Sequence, residues 1–295
     1  MKRFLLSLLL TLPATAQPPI DYSNPQIRTL ISNGSPAQKV DLVFVGDGYT
    51  ASQMKDLERD ARAAADSLFS YPLFKDYKSY FNVHVAHVPS IAETGGKMRF
   101  AFGSKRNESR GLVLLENKDK VWGVVSKAPA CDVPIVISTV PGRAHASDIV
   151  CLPGRSYEPL AHELGHFIGK LGDEYDSNSM LNDRYPNPSG RDLDYPNLSL
   201  DGYIDPANRE TIRKTAKWGH FLDLPGAFPL VSAYQGGNHQ VIGVWRPTFS
   251  CIMGQDGAPF CPVCHFHMVK AIHSKCGLTF DEAAYRRRHP LSQWK

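Results

Sequence analysis

The stretch His162-Glu163-Leu164-Gly165-His166 is where residue types and spacing read most directly as chemistry. Residues four apart on a helix lie one above the other, so His162 and His166 can reach one metal ion together. Glu163 follows the first of them on the same face, close enough to take a proton from water at that ion. This is the H-E-x-x-H arrangement, with two imidazoles as zinc ligands and the glutamate as general base. Beyond Gly169, predicted here to make a turn closed to other residues, come two carboxylates, Asp173 and Glu174. Either one would complete a set of three protein ligands and one water, as catalytic zinc requires. Cys261-Pro262-Val263-Cys264-His265 is a second grouping with chemical content. C-x-x-C-H is the attachment pattern of c-type haem, and with His267 it also fits a small structural zinc cluster. Two half-cystines are the plainer reading.

These side chains need a frame. Val40 to Val45 is an apolar run, interrupted by Asp41, of the kind buried strands show, and Thr50 is placed to cap a helix running to about Phe69. That helix carries Met54, Leu57, Ala61, Ala64 or Ala65, and Leu68 on one stripe. Phe81 to Val88 and Val133 to Ile137 read as further strands, and Asp148 to Val150 as a short edge strand. Glu93 to Gly111 reads as a loop, followed by a mixed helical segment to about Ser126. The metal helix is predicted from Tyr157 to Gly169, with Leu160, Leu164 and Phe167 facing inward. Strands alternating with helices predict an α/β fold with a mixed β-sheet ahead of the active-site helix. Residues 176–208 are irregular and dense in Asn, Asp, Pro and Tyr.

Lys2 and Arg3, the apolar stretch Phe4 to Leu12 and Ala14-Thr15-Ala16 have the form of a signal peptide over residues 1–16. A secreted or periplasmic protein with no membrane span is expected. Residues 17–37 read as a mobile lead-in, 38–285 as one catalytic domain with upper (38–170) and lower (171–285) parts, and 286–295 as a basic tail. The formal net charge of +4 is small and loses Lys2 and Arg3 on processing, which gives no footprint for nucleic acid. Six cysteines in an exported chain favour disulfides. A Cys131–Cys151 bridge is expected, with the remaining four stapling the C-terminal part.

The longer run His162-Glu163-x-x-His166-x-x-Gly169 with Asp173-Glu174-Tyr175 resembles the secreted bacterial IgA-peptidase family of zinc metallopeptidases. Further likenesses are Gly46-Asp47-Gly48-Tyr49-Thr50, Lys217-Trp218-Gly219-His220, Arg246-Pro247, Cys251-Ile252-Met253 and Phe260 to Cys264. The resemblance implies a metzincin-like catalytic domain whose irregular lower subdomain carries a Met-turn at Met253. It implies one catalytic Zn2+ held by His162, His166 and Asp173, with Glu163 as base and a protein or peptide substrate. The usual metzincin spacing would place the third ligand at position 172, a glycine here, so it falls one step later, with Glu174 as the alternative. Gln255 stands where such turns often have a tyrosine, which leaves Tyr175 as a candidate oxyanion stabiliser. The competing functions are a zinc amidase acting on a non-peptide substrate and a zinc-containing binding protein without catalysis.

Overall fold

A computed structural model describes residues 19–176, 192–200 and 204–294. Its centre is a six-stranded sheet made of β1 (Gln26–Ile31), β2 (Val40–Asp47), β3 (Phe81–His87), β4 (Val133–Ser138), β5 (His145–Ala146) and β6 (Val150–Pro153). The spatial order is β1-β3-β2-β4-β6-β5. The four inner strands are parallel, and the edges β1 and β5 run antiparallel to their neighbours. Parallel strands covered on both faces need apolar side chains on both, which is why Leu42 to Val45 does not alternate. Leu42 and Phe44 enter the core on one face, Val43 and Val45 the core on the other.

Helix α1 (Met54–Ser70) packs Leu57, Ala61, Ala64, Ala65 and Leu68 onto the first face, as its stripe predicts. It starts from a capping box between Thr50 and Gln53. Helix α2 (Lys118–Val125) covers the second face with Val121, Val124 and Val125. Asp47, at the end of β2, does more than form a turn: its buried carboxylate accepts the backbone N–H groups of Phe102 (2.9 Å) and Ser104 (2.8 Å). The 93–111 segment contributes two short ribbons, Ile91–Ala92 with Met98–Arg99 and Ser104–Arg106 with Val113–Leu115.

Several expectations change. The lead-in is structured from Gln26, because β1 pairs with β3 and Thr29 meets the ring of His84 at 3.0 Å. The edge expected at 148–150 is a turn entering an inner strand, and the true edge is His145–Ala146. The basic tail is helical to Arg288, and the Arg286 guanidinium lies over the rings of Phe221 and Phe266. No disulfide forms: all six cysteines are free. Burial within the sheet core pushes the Cys131 and Cys151 thiols up to about 12, far from the thiolate that exchange chemistry needs. Residues 1–16 lie outside the described residues. Among the described residues no helix is long and apolar enough to cross a membrane.

Candidate metal centre

Helix α3 (Leu160–Phe167) follows β6 and buries Leu160 and Leu164 in the core, which leaves His162, Glu163 and His166 on its other side. Past its end, Lys170 adopts φ 52° and reverses the chain, while Gly169 keeps a negative φ. The glycine is required by space instead, because a Cβ there would stand 2.5 Å from Met268 Sδ. The reversal brings the Leu171 carbonyl under His166, whose Nδ1 donates to it at 2.7 Å. His162 Nδ1 donates to the Ile252 carbonyl at 2.9 Å. Carbonyls only accept, so both imidazoles keep their proton on Nδ1 and turn an Nε2 lone pair inward.

The two Nε2 atoms are 3.0 Å apart, and each is 3.1 Å from Asp173 Oδ1. Asp173 Oδ1 is buried without a hydrogen bond. Three electron pairs facing one another across a triangle of that size repel unless a cation sits among them. Donors on a tetrahedral zinc stand roughly 3.3 Å apart, so the triangle matches such an ion. Burial alone would raise the Asp173 carboxyl, but contact with His162 and His166 holds it well below the ordinary range. Glu163 is 5% exposed, and burial raises its carboxyl above the usual value against the pull of both imidazoles. That suits a group that must accept a proton near neutrality.

The position of Asp173 follows from its neighbours. At Gly172 a Cβ would meet Leu198 at 2.5 Å and Tyr195 at 2.8 Å, so no side chain fits there, and the carboxylate beside the histidines comes one residue later. Asn197, fully buried, clamps this stretch: its Oδ1 accepts from Gly172 N (2.8 Å), and its Nδ2 donates to Gly172 O (2.9 Å) and Glu174 Oε1 (2.8 Å). Lys217 holds the same segment by donating to the carbonyls of Leu193 and Tyr195. Glu174, the alternative ligand, faces away from the histidines, towards Cys264. Tyr175 donates its hydroxyl to Asp173 Oδ2 at 2.9 Å, so here it orients that carboxylate.

Met253 lies fully buried beneath the helix, where a Cβ on Gly165 would come within 2.5 Å of its sulfur. Its carbonyl accepts from Glu174 N at 2.7 Å, so residues 252–253 fix both His162 and the Asp173-Glu174 pair.

Two participants escaped the sequence reading. The hairpin β7 (Tyr234–Gly237) and β8 (Gln240–Arg246) turns through Asn238 (φ 49°) and His239 (φ 63°). Its tip grips the backbone around Asp173, Asn238 N donating to Asp173 O at 2.7 Å and His239 N to Tyr175 O at 3.1 Å. The His239 ring, half exposed, stands 3.5 Å from Asp173 Oδ2. Gly236-Gly237-Asn238 was the available signal, since such residues favour two-residue hairpin turns. Arg143, just before β5, places its positive charge near Glu163 and Tyr175; burial raises both groups, and Arg143 offsets part of that rise. Nothing in its sequence neighbourhood marked it. His265, the histidine of the C-x-x-C-H pattern, is engaged with the Tyr285 hydroxyl at 2.9 Å. Two cavities, of about 190 and 660 Å³, open near Trp294, and neither is lined by His162, Glu163, His166 or Asp173.

Residues 29–136 match the model of a family described as IgA Peptidase M64, covering β1 to β4. That family is named for its peptidases, hydrolases of the peptide bond. No curated protein matches the chain.

Proposed function

We infer that this member of the IgA Peptidase M64 family is a zinc-dependent endopeptidase whose centre is built by His162, His166 and Asp173. The convergence of three lone-pair donors within 3.1 Å of one another, with both Nδ1 protons already committed to carbonyls, carries the reading. Zinc bound there supplies Lewis acidity and makes water acidic enough to deprotonate near neutral pH. Glu163, with its raised affinity for a proton, takes that proton and returns it to the leaving amine. Tyr175 and the Asn238-His239 tip hold Asp173 in place. With the Tyr175 hydroxyl committed to Asp173, the oxyanion role falls more naturally to Arg143 or to the exposed ring of His239 at the rim. Met253, supporting the helix at Gly165, acts as the Met-turn. An extended peptide pairs along β5, the sheet edge packed against the metal helix. The leader at residues 1–16 makes the site of action the periplasm or the exterior.

Glu163→Gln tests this. Zinc content measured by elemental analysis should stay at the wild-type value, while cleavage of a peptide library falls by about 10²–10⁴-fold. Undiminished cleavage would remove Glu163 as the base.

A further inference from the structure

We propose that the chain holds a second, structural zinc ion on Cys251, Cys261, Cys264 and Glu174, separate from the catalytic centre. The four donor atoms lie within 4.8 Å of one another, and all four residues are buried. Four ligands at ~2.3 Å from a tetrahedral zinc stand roughly 3.8 Å apart, so the cage is already close to size. Cys264 Sγ donates to Glu174 Oε1 at 3.0 Å. A multi-iron cluster would need its ligands spread more widely, and three thiolates with one carboxylate around a compact centre select a single tetrahedral zinc.

Glu174 is 2% exposed, and its Oε2 has no hydrogen-bond partner. A carboxylate taken out of water without a cation is strongly disfavoured, yet this one sits against three sulfurs. A divalent ion in the cage removes that penalty. The surroundings of Cys261 also favour a thiolate. Cys261 caps the N-terminus of the 14-residue helix α4 (Pro262–Lys275), where the helix dipole stabilises negative charge. Cys261 N–H donates to Cys251 Sγ and Cys264 N–H to Cys261 Sγ, each at 3.4 Å. Such bonds from the outer shell orient metal thiolates. Loading releases the three thiol protons to solvent, forms three Zn–S bonds and one Zn–O bond, and involves no redox change. Free cysteines in a chain with an export leader are then explained, because their sulfurs are ligands rather than half-cystines.

The two cages share a wall. Cys251 directly precedes Ile252 and Met253, whose carbonyls fix His162 and Glu174, and Glu174 directly follows Asp173. A zinc in the cysteine cage therefore anchors the third catalytic ligand from behind.

Elemental analysis of the purified full-length chain should give two zinc ions per molecule. The double variant His162→Ala/His166→Ala should retain one, and after cobalt exchange it should show the near-ultraviolet thiolate-to-cobalt charge-transfer absorption. Cys264→Ser should lose one zinc and that absorption. If it fails to fold, wild-type protein treated with a thiol-specific mercurial should release one zinc ion. A chain whose zinc is entirely lost in the histidine double variant overturns the proposal. So does cobalt protein without the charge-transfer band, or alkylation under non-reducing conditions that finds two of the three cysteines joined. Failure of the catalytic reading gives a different pattern: one zinc, thiolate-bound, unaffected by the histidine substitutions.

Discussion

The sheet-bearing half of the molecule and the half that follows helix α3 are held together in different ways. Above, β2, β3 and β4 are buried along their whole lengths, and position is set by apolar packing and regular pairing. Below, from Leu171 onward, ligand placement relies on single polar contacts: the Asn197 clamp, the Asn238 tip, and the carbonyls of Ile252 and Met253. The family match falls in the first half, whereas every side chain assigned to the metal centre lies after residue 160. The half that the family model matches is thus a platform, and the candidate metal site is assembled on it by contacts that carry little hydrophobic energy.

That contrast predicts which changes hurt stability and which hurt the metal. Phe81→Ala, which removes a fully buried ring packed against Phe69 and Phe74 (centroids 5.8 Å from each), should cost about 3–5 kcal/mol. Urea unfolding would measure it, and a cost near zero would show that the upper half is not held by packing. Asn197→Ala should leave most of the stability in place but weaken zinc retention about 10–100-fold in a chelator competition, because Gly172 and Glu174 lose their shared clamp. Equal loss of both quantities would erase the distinction between the halves. Gly172→Ala forces a methyl against Leu198 and Tyr195 and should cost about 1–3 kcal/mol, with Asp173 displaced and metal affinity lowered alongside.

The smallest effect lies at the surface. Partial burial opposes ionisation of Asp148, yet bonds from Lys118 and Ser147 hold its carboxyl down to about 2 from an ordinary 3.8. A depressed carboxylate stabilises the fold fully above pH 3.8, and that contribution shrinks as the pH falls from 3.8 and is lost as it passes through about 2. The side chains are 42% and 50% exposed, so solvent screening leaves ~0.2–0.5 kcal/mol. Asp148→Asn should therefore lower Tm marginally at pH 7 and not at all at pH 2; a larger change would give this exposed pair more weight than the buried polar clamps.

What was legible in the sequence follows the same division. The apolar runs and the spaced alanines of α1 announced the upper strands and helix, because periodicity reports packing directly. The H-E-x-x-H spacing announced that His162, Glu163 and His166 share one side of the helix, because helix geometry is local. Asp173 and Glu174 could not be separated that way, since the direction each faces depends on Asn197 and Met253, which are distant in sequence. The cysteines misled for a related reason. An even count in an exported chain suggests pairing, but Cys251, Cys261 and Cys264 converge on a glutamate some 75–90 positions earlier, and no spacing rule joins them. The expected edge strand failed because Asp148 to Val150 is flanked on its outer side by β5, only two residues long and too short to show a pattern.

Asp173 and Glu174 are joined by one peptide bond and send their carboxylates in opposite directions, one to imidazoles and one to sulfurs. Their Cα atoms are held ~3.8 Å apart, too short a tether for either side chain to withdraw without dragging the other. Demetallation of one chamber should accordingly hasten the emptying of its neighbour, so that the enzyme is switched off as a unit and not by degrees.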